Sequence, residues 1–373
     1  MSKNISLLSL QIFNTTGGIQ KMVRTLAHAL NTLSEKKGWD FKLSSLYESN
    51  ADLMTAYLPQ NKFNGYNENI LKFIFRTVFV KKKPDVVILT HINLAVVGLL
   101  TRLFNPGCEI WLIAHGIEVW RPLSFHKKLI IKRSDKIICV SDFTKQQMHK
   151  WHKTPLEKCH VLNNAIDPFI KLPSNFSKPQ YLLSKYSINI KQPIVFTLTR
   201  LASTEKYKGH DMVLRAVRDL KDKFPDIKYI LSGQYDKKEG LRVKRLIADM
   251  DLTNQVILTN FIEDKELADH FLLADLFVLP SKKEGFGIVF IEALAYGLPV
   301  ICGNADGSLD AIKNGELGTA INADDLDELI ESITAHLTVP LTNQNRSKLQ
   351  TKCLEYFNEE QYINNLEKLL LNV

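Results

Sequence analysis

Two glutamates, Glu284 and Glu292, stand on either side of the tripeptide Gly285-Phe286-Gly287. The string around them, from Leu279 to Ile301, reads as strand end, glycine-rich loop, helix, turn and strand. Glycines at 285 and 287 let the backbone approach a ligand closely. They also open a helix whose first free N–H groups fall near Ile288 and Val289. Those N–H groups, together with the helix macrodipole, suit a phosphate. Glu284 precedes that site and Glu292 lies about one helical turn inside it. A carboxylate on each side of a bound diphosphate would accept hydrogen bonds from hydroxyls, and a sugar nucleotide offers hydroxyls on both its sugar and its ribose. A plainer role fits the same pair: Glu292 complementing a helix N-terminus, and Glu284 a solvated loop charge.

The elements that must hold these residues alternate along the chain. In the first half, short apolar strands at Ile5–Leu10, Phe41–Leu46, Val86–Leu89, Ile110–Ala114, Ile137–Val140 and His160–Leu162 are separated by helical stretches. The helices fall near Ile19–Leu33, Asn69–Val80, Leu94–Leu103 and Phe143–Lys150, the last with Ser141 as its N-cap. Asp167 to Gln192 carries three prolines and no apolar period, and reads as an interdomain connection. A second set follows, with strands near Ile194–Thr199, Lys228–Ser232, Val256–Leu258, Leu276–Leu279 and Val300–Ile301. Its helices fall near His210–Lys223, Gly240–Met250, Asp264–Leu273, Ile288–Tyr296 and Asp324–Leu337, and Glu359–Leu371 closes the chain. The expected fold class is α/β, with two doubly wound parallel-sheet domains facing each other across a cleft. The boundaries expected are 1–170 for the N-terminal domain, with a C-terminal helix in 355–373 packing back onto it, and 171–354 for the second. In such sheets ligands bind beyond the carboxyl ends of the strands. Arg200 and Lys208, just past Thr199, and Gly233, just past Ser232, therefore fall where chemistry is expected, although two cations in a polar loop are commonly only surface charge.

Composition bounds the rest. The chain has 373 residues, 45% hydrophobic and 24% charged, which excludes disordered and fibrous classes and favours two domains. Five scattered cysteines with no CxxC pair argue against a disulfide framework, a zinc site or a thioredoxin-type centre. Two Asp-x-Asp strings, at 249–251 and 325–327, sit at helix ends and not at strand ends, so no metal site is expected from them. The apolar run near the N-terminus is too short for a signal h-region, and no window reaches a spanning length. Residues 1–170 hold 23 basic and 12 acidic side chains, against 25 and 28 in residues 171–373. That excess points to an anionic partner for the first half.

The string EGFGIVFIEALAYGLPVI resembles the E-x7-E signature of glycosyltransferase family four, retaining enzymes of the GT-B fold. Further matches occur in the family's order. Gly17-Gly18 resemble its N-terminal glycine loop, and His115-Gly116 its active-site histidine. Cys139-Val140-Ser141 and Val161 to Asp167 resemble the closing strands of its N-domain, and Arg200-Leu201 with Lys208-Gly209 its diphosphate-binding pair. The resemblance implies that Arg200 and Lys208 stabilise the leaving diphosphate, with Lys206 a rival for Lys208 in a longer loop. It implies that His115 donates a hydrogen bond to the donor sugar or its phosphate; a core or capping histidine is the plainer role. Glu118, three residues on, is a surface charge or an acceptor contact. Phe261-Ile262 match the base-binding position, where ordinary core packing is nearly as good an account. Asp306-Gly307-Ser308 stand where many relatives carry two or three glycines.

What the resemblance implies for mechanism is same-face attack, in which the departing phosphate oxygen deprotonates the acceptor hydroxyl. No cofactor or metal is then expected, since the nucleotide sugar is itself the substrate. The segment Asn304 to Gly318 looks most like bacterial mannosyltransferases of surface-polysaccharide assembly, including lipopolysaccharide, which favours GDP-mannose over UDP-sugars. The expected acceptor is a glycan or a polyprenyl-diphosphate-linked oligosaccharide. Another GT-B enzyme, such as a sugar-nucleotide epimerase or a phosphorylase, and a catalytically idle partner subunit are the rival readings.

Asn69–Pro84 mixes Phe73, Ile74, Phe75, Val78 and Phe79 with Lys72, Arg76 and Lys81–Lys83, and Arg121–Arg133 adds Lys127, Lys128, Lys132 and Arg133. A basic, apolar surface helix can lie on an anionic membrane surface. A core-facing helix with a solvated charged end accounts for the same residues. The location expected is cytoplasmic, or peripheral on the inner face of the plasma membrane. Nucleic acid is not an expected partner, because the cations are not interleaved with stacking aromatics.

Overall fold

Strands made of unbroken apolar runs set the architecture. Val86–Leu89, Leu276–Leu279 and Val300–Gly303 are buried at every residue, as strands covered on both faces must be. In the computed structural model, which describes residues 2–371, they belong to two sheets. The first contains β1 (Asn4–Ser9), β2 (Asp40–Ser45), β3 (Phe63–Gly65), β4 (Val86–Leu89), β5 (Glu109–Ala114), β6 (Lys136–Cys139) and β7 (Cys159–Val161). Its seven strands run in the order β3-β2-β1-β4-β5-β6-β7, every pairing parallel. The second contains β8 (Ile194–Leu198), β9 (Lys228–Ser232), β10 (Val256–Asn260), β11 (Leu276–Leu279), β12 (Val300–Gly303) and β13 (Thr319–Ile321). Its order is β10-β9-β8-β11-β12-β13, again all parallel.

Both orders reverse at one place. The chain winds outward from β1 and then returns to lay β4 on its other side, and does the same with β8 and β11. At such a switch the loops beyond two neighbouring strands diverge to opposite faces and leave a crevice. Two Rossmann-like domains of parallel sheet are therefore present, each with its own switch point.

The chain divides into two compact units. One runs to Ile170 and resumes at Phe357; the other is Lys171–Tyr356. The helix Glu359–Leu371 packs against the helix Gly18–Lys37, burying Tyr362, Leu366 and Leu370, with ion pairs from Lys37 to Glu367 and from His28 to Glu359. Ser141 caps the helix Asp142–His152, its Oγ accepting from the Thr144 N–H at 3.0 Å.

Several elements depart from the reading of the sequence. β3 and β13 are three residues each, too short to show a period. The stretch read as a connection contains a helix, Gln180–Lys185, which buries Leu182 and Leu183 in the second unit; the prolines on either side mask it. Asn343–Phe357 is a further helix, with Arg346 buried and donating to the carbonyls of Gly297 and Phe176. Among the described residues no helix is long and apolar enough to cross a membrane.

Candidate active site

The second unit gathers most of the residues singled out from the sequence at the β8/β11 switch. Arg200 follows β8, and Lys208 closes a short turn before the helix His210–Leu220. Glu284 lies in the loop after β11, and Gly287 caps the helix Ile288–Ala295 with φ of +80°. The Lys208 Nζ donates to Glu284 Oε1 at 2.6 Å, and both side chains are only about one-seventh exposed, at 15% and 14%. Lys206, the rival, is exposed. The two loops are sewn together beyond that pair: the Lys282 N–H donates to the Tyr207 carbonyl at 3.0 Å, and the Nζ atoms of Lys208 and Lys283 lie 5.7 and 5.4 Å from the Tyr207 ring centre. Burial beside Glu205 and Glu284 raises the Tyr207 hydroxyl above its ordinary pKa.

The cations are engaged by carboxylates. Arg200 donates to Glu205 from Nε at 3.1 Å and from a terminal nitrogen, although its side chain is 69% exposed. Glu205 therefore occupies the guanidinium that the resemblance assigns to a diphosphate. A pair this exposed is worth about 0–1 kcal/mol. Glu205→Gln should accordingly tighten nucleoside diphosphate binding by up to about fivefold, read as a lower Kd by calorimetry; an unchanged or raised Kd would show that Glu205 orients Arg200 instead of competing for it.

Asp306 explains the departure from glycine in the loop after β12. It is fully buried; its Oδ2 accepts the Glu284 N–H at 2.7 Å and its Oδ1 the Ser308 N–H at 2.9 Å. In return the Gly307 N–H donates to the Glu284 carbonyl at 2.9 Å. Burial, then the nearby Glu284 charge, push the Asp306 carboxyl up to about 7. A side chain on Gly307 would meet the Gly285 carbonyl oxygen at 2.1 Å, so the two backbones need glycine to lie this close. Asp306 is thus a positioning residue for Glu284, and its visible signal was an Asp-Gly at the carboxyl end of a strand.

The remaining donor-side candidates divide by burial. Glu292 is buried on the Ile288–Ala295 helix, one turn in. The N–H groups of Ile288 and Val289 belong to that helix's first turn, where no intrahelical carbonyl reaches them. Phe286 is 2% exposed, so its ring serves the core and only its backbone can face a ligand. Ile262 is likewise buried, while Phe261 is 54% exposed at the end of β10. Gly233 turns the chain after β9 with φ of +143° and donates its N–H to the Asn260 carbonyl at 2.9 Å.

In the first unit the loop after β1 is held from within. Gly17 caps the helix Gly18–Lys37, which begins one residue earlier than the sequence suggested. The N–H groups of Ile12, Phe13 and Asn14 all donate to Oε1 of Glu48, which is fully buried. Arg24, also buried, donates to the carbonyls of Ile12 and Thr15 at 2.9 and 2.8 Å. An internal carboxylate thus occupies the converging N–H groups of Ile12 to Asn14, ahead of the Gly17-Gly18 turn. Neither Glu48 nor Arg24 was read from the sequence, where nothing distinguishes them from surface charges.

His115 ends β5 and is buried, with Nε2 2.7 Å from the Thr90 carbonyl oxygen. A carbonyl only accepts, so Nε2 carries the hydrogen. Burial pushes the imidazole down to about 4, which leaves it neutral near pH 7. Nδ1 then has a lone pair and accepts. In this tautomer the neutral ring presents an acceptor at Nδ1, where the resemblance implied a donor. Glu118 is half-buried, and its Oε1 accepts the N–H groups of His115 and Gly116 at 2.6 and 3.1 Å. His91, after β4, was not singled out from the sequence, and burial lowers its pKa beside Glu118.

Two parallel doubly wound domains, with a glycine-opened helix and a lysine–glutamate pair at the switch of the second, define a GT-B protein. Residues 16–168 match the family described as Glycosyltransferase Family 4, and residues 182–353 that described as Glycosyl transferases group 1. The chain belongs to glycosyltransferase family four. It is 31% identical over 156 residues to a GDP-mannose-dependent alpha-(1-6)-phosphatidylinositol monomannoside mannosyltransferase of Mycolicibacterium smegmatis, and that match spans 40% of each chain. It is 26% identical over 363 residues to an uncharacterized 41.2 kDa protein in the cps region of Klebsiella pneumoniae, covering 91% of this chain and 94% of that one. Among solved structures, Anabaena HepE in complex with UDP superposes with a TM-score of 0.79 at 17% identity over the whole of both chains, a likeness of fold.

Proposed function

We propose that the protein is a retaining, metal-independent glycosyltransferase that moves a sugar from a nucleoside diphosphate, GDP-mannose in the first instance, to a glycan or polyprenyl-diphosphate-linked acceptor. The observation that carries this is the Lys208–Glu284 pair beside the Gly287-capped helix: a cation for the diphosphate and a carboxylate for the sugar hydroxyls meet at one switch point. Negative charge grows on the departing diphosphate, and fixed cations with helix N–H groups stabilise that charge more in the transition state than before it. Those groups supply the electrostatic work for which other transferases use a metal. On this reading the bond from the sugar's anomeric carbon to the phosphate oxygen breaks as the bond to the acceptor oxygen forms on the same face. The acceptor proton passes to the phosphate oxygen that leaves. Within the second unit, Glu284 accepts from sugar hydroxyls and orients the ring, and Phe261 offers an exposed aromatic face to the base.

The mannose donor is favoured by the mycobacterial relative, whose name specifies GDP-mannose. UDP is the second candidate, because the Anabaena protein of the same fold binds it. Thermal denaturation with GDP, UDP and ADP separates the two: the cognate diphosphate should raise the melting temperature through linkage, by about 2.7 kcal/mol of added stability at a hundred times its Kd. A protein that none of the three stabilises would not be a nucleotide-sugar enzyme.

A further inference from the structure

Three neighbouring helices of the first unit, Ile70–Val78, Ala95–Phe104 and Phe125–Arg133, cover one side of its sheet and share one apolar core cluster. Together they hold seven Lys or Arg and no Asp or Glu. They also turn large apolar side chains outward. Leu71 is 81% exposed, Phe75 61%, Leu103 70% and Phe125 81%. Phe79, just past the first helix, is 49% exposed and links the first two helices, its ring 5.5 Å from Phe75 and 4.7 Å from Phe104.

Packing does not explain this arrangement. Phe73, Thr77 and Val78 already anchor the first helix in the core, so the core-facing account covers only half of it. Leu71 and Phe75 stand on the other side among exposed Lys72 and Arg76, with Lys81 and Lys82 beyond. Contiguous exposed apolar surface ringed by cations marks a contact with something apolar and anionic. Of the seven cations, Arg102 is committed to Asp135 and to the carbonyls of Pro106 and Cys108; the other six have no ion pair among the described residues, and Lys127 donates only to the neutral amide of Asn93.

We infer that this three-helix face docks on an anionic lipid bilayer, with Leu71, Phe75, Phe79 and Phe125 entering the headgroup–acyl boundary and Lys72, Arg76 and Lys128 meeting lipid phosphates. Charge complementarity selects this occupant. A second copy of the chain would bring six cations against six, with no acid on either side. Helices joining parallel strands run against them, so Leu71, Val96 and Phe125 at the helix starts lie at the edge of the sheet that carries His91 and His115. A face applied to a membrane would hold that edge near a lipid-borne substrate. The inference stands whichever donor the second unit takes.

The test is sedimentation of the full chain with sucrose-loaded vesicles of phosphatidylcholine, with and without 30 mol% phosphatidylglycerol, at about 0.1 M salt where the Debye length is near 10 Å. Binding is expected only with phosphatidylglycerol, and is expected to weaken as salt rises. Replacing Lys72 and Arg76 by Gln should raise the half-saturating lipid concentration about fivefold for each residue. A Phe75→Ser, Phe79→Ser variant should raise it at least about tenfold. All four side chains are exposed, so circular dichroism and the melting temperature should match the parent, which separates lost docking from lost folding. Equal binding to neutral vesicles, no binding at low salt, or folded variants that bind like the parent would overturn the inference. So would a dimer by sedimentation velocity that the same substitutions dissociate.

Discussion

Lys208→Met should lower kcat by roughly 10²–10³-fold while leaving the protein folded, the scale seen when one preorganised donor to a developing negative charge is removed. Lys208 is the less exposed of the two cations, and Glu284 holds it at 2.6 Å, so little reorganisation is needed when a diphosphate arrives. Charge that develops in the transition state gains most from such a fixed cation, so kcat should fall more than KM rises. Lys208→Arg should recover part of the loss, because the charge returns in a different shape. A purely structural lysine would behave otherwise: its removal would leave Glu284 without its cation, lower the melting temperature and spare the turnover of the molecules still folded. Single-turnover rates and melting curves on the same preparations distinguish the two.

Gly233→Ala should cost on the order of 3–5 kcal/mol of stability, measured as a fall in the urea midpoint at unchanged slope. Two effects combine. The residue has φ of +143°, a region that side-chain-bearing residues rarely enter, and a Cβ there would sit 1.7 Å from the Thr199 carbonyl oxygen. Backbone cannot yield as a flexible side chain can. The same contact ties the turn after β9 to the end of β8, immediately before Arg200, while the Gly233 N–H reaches Asn260 beside Phe261. Molecules of the variant that fold should therefore also bind nucleoside diphosphate more weakly. Gly315→Ala is the contrast: its φ is also positive, at +102°, but nothing lies within 4 Å of the added Cβ, so only the backbone strain of about 1–3 kcal/mol applies.

The amino-acid sequence alone determined the class of this protein: alternating apolar strands and helices of the right length, and a glycine-opened helix with flanking carboxylates after a buried strand. These are local features, written in consecutive residues, and periodicity and motif spacing expose them. It also placed Arg200, Lys208 and Glu284 at strand ends, because parallel sheets put loops there as a rule. It could not say which lysine would meet Glu284, since the turn joining Lys206 and Lys208 offers both and only packing of Tyr207 against the neighbouring loop decides between them. It could not show that Glu205 already occupies Arg200, or that Asp306 is the carboxylate beneath Glu284 and not a gap in a glycine pattern. The hydrogen on His115 was likewise invisible, being set by a carbonyl 25 residues away in sequence, just past the end of the neighbouring strand. Each of these depends on which loops the sheet order brings side by side. Side-chain partners chosen across strands leave no trace in local spacing, so tertiary structure alone assigned them.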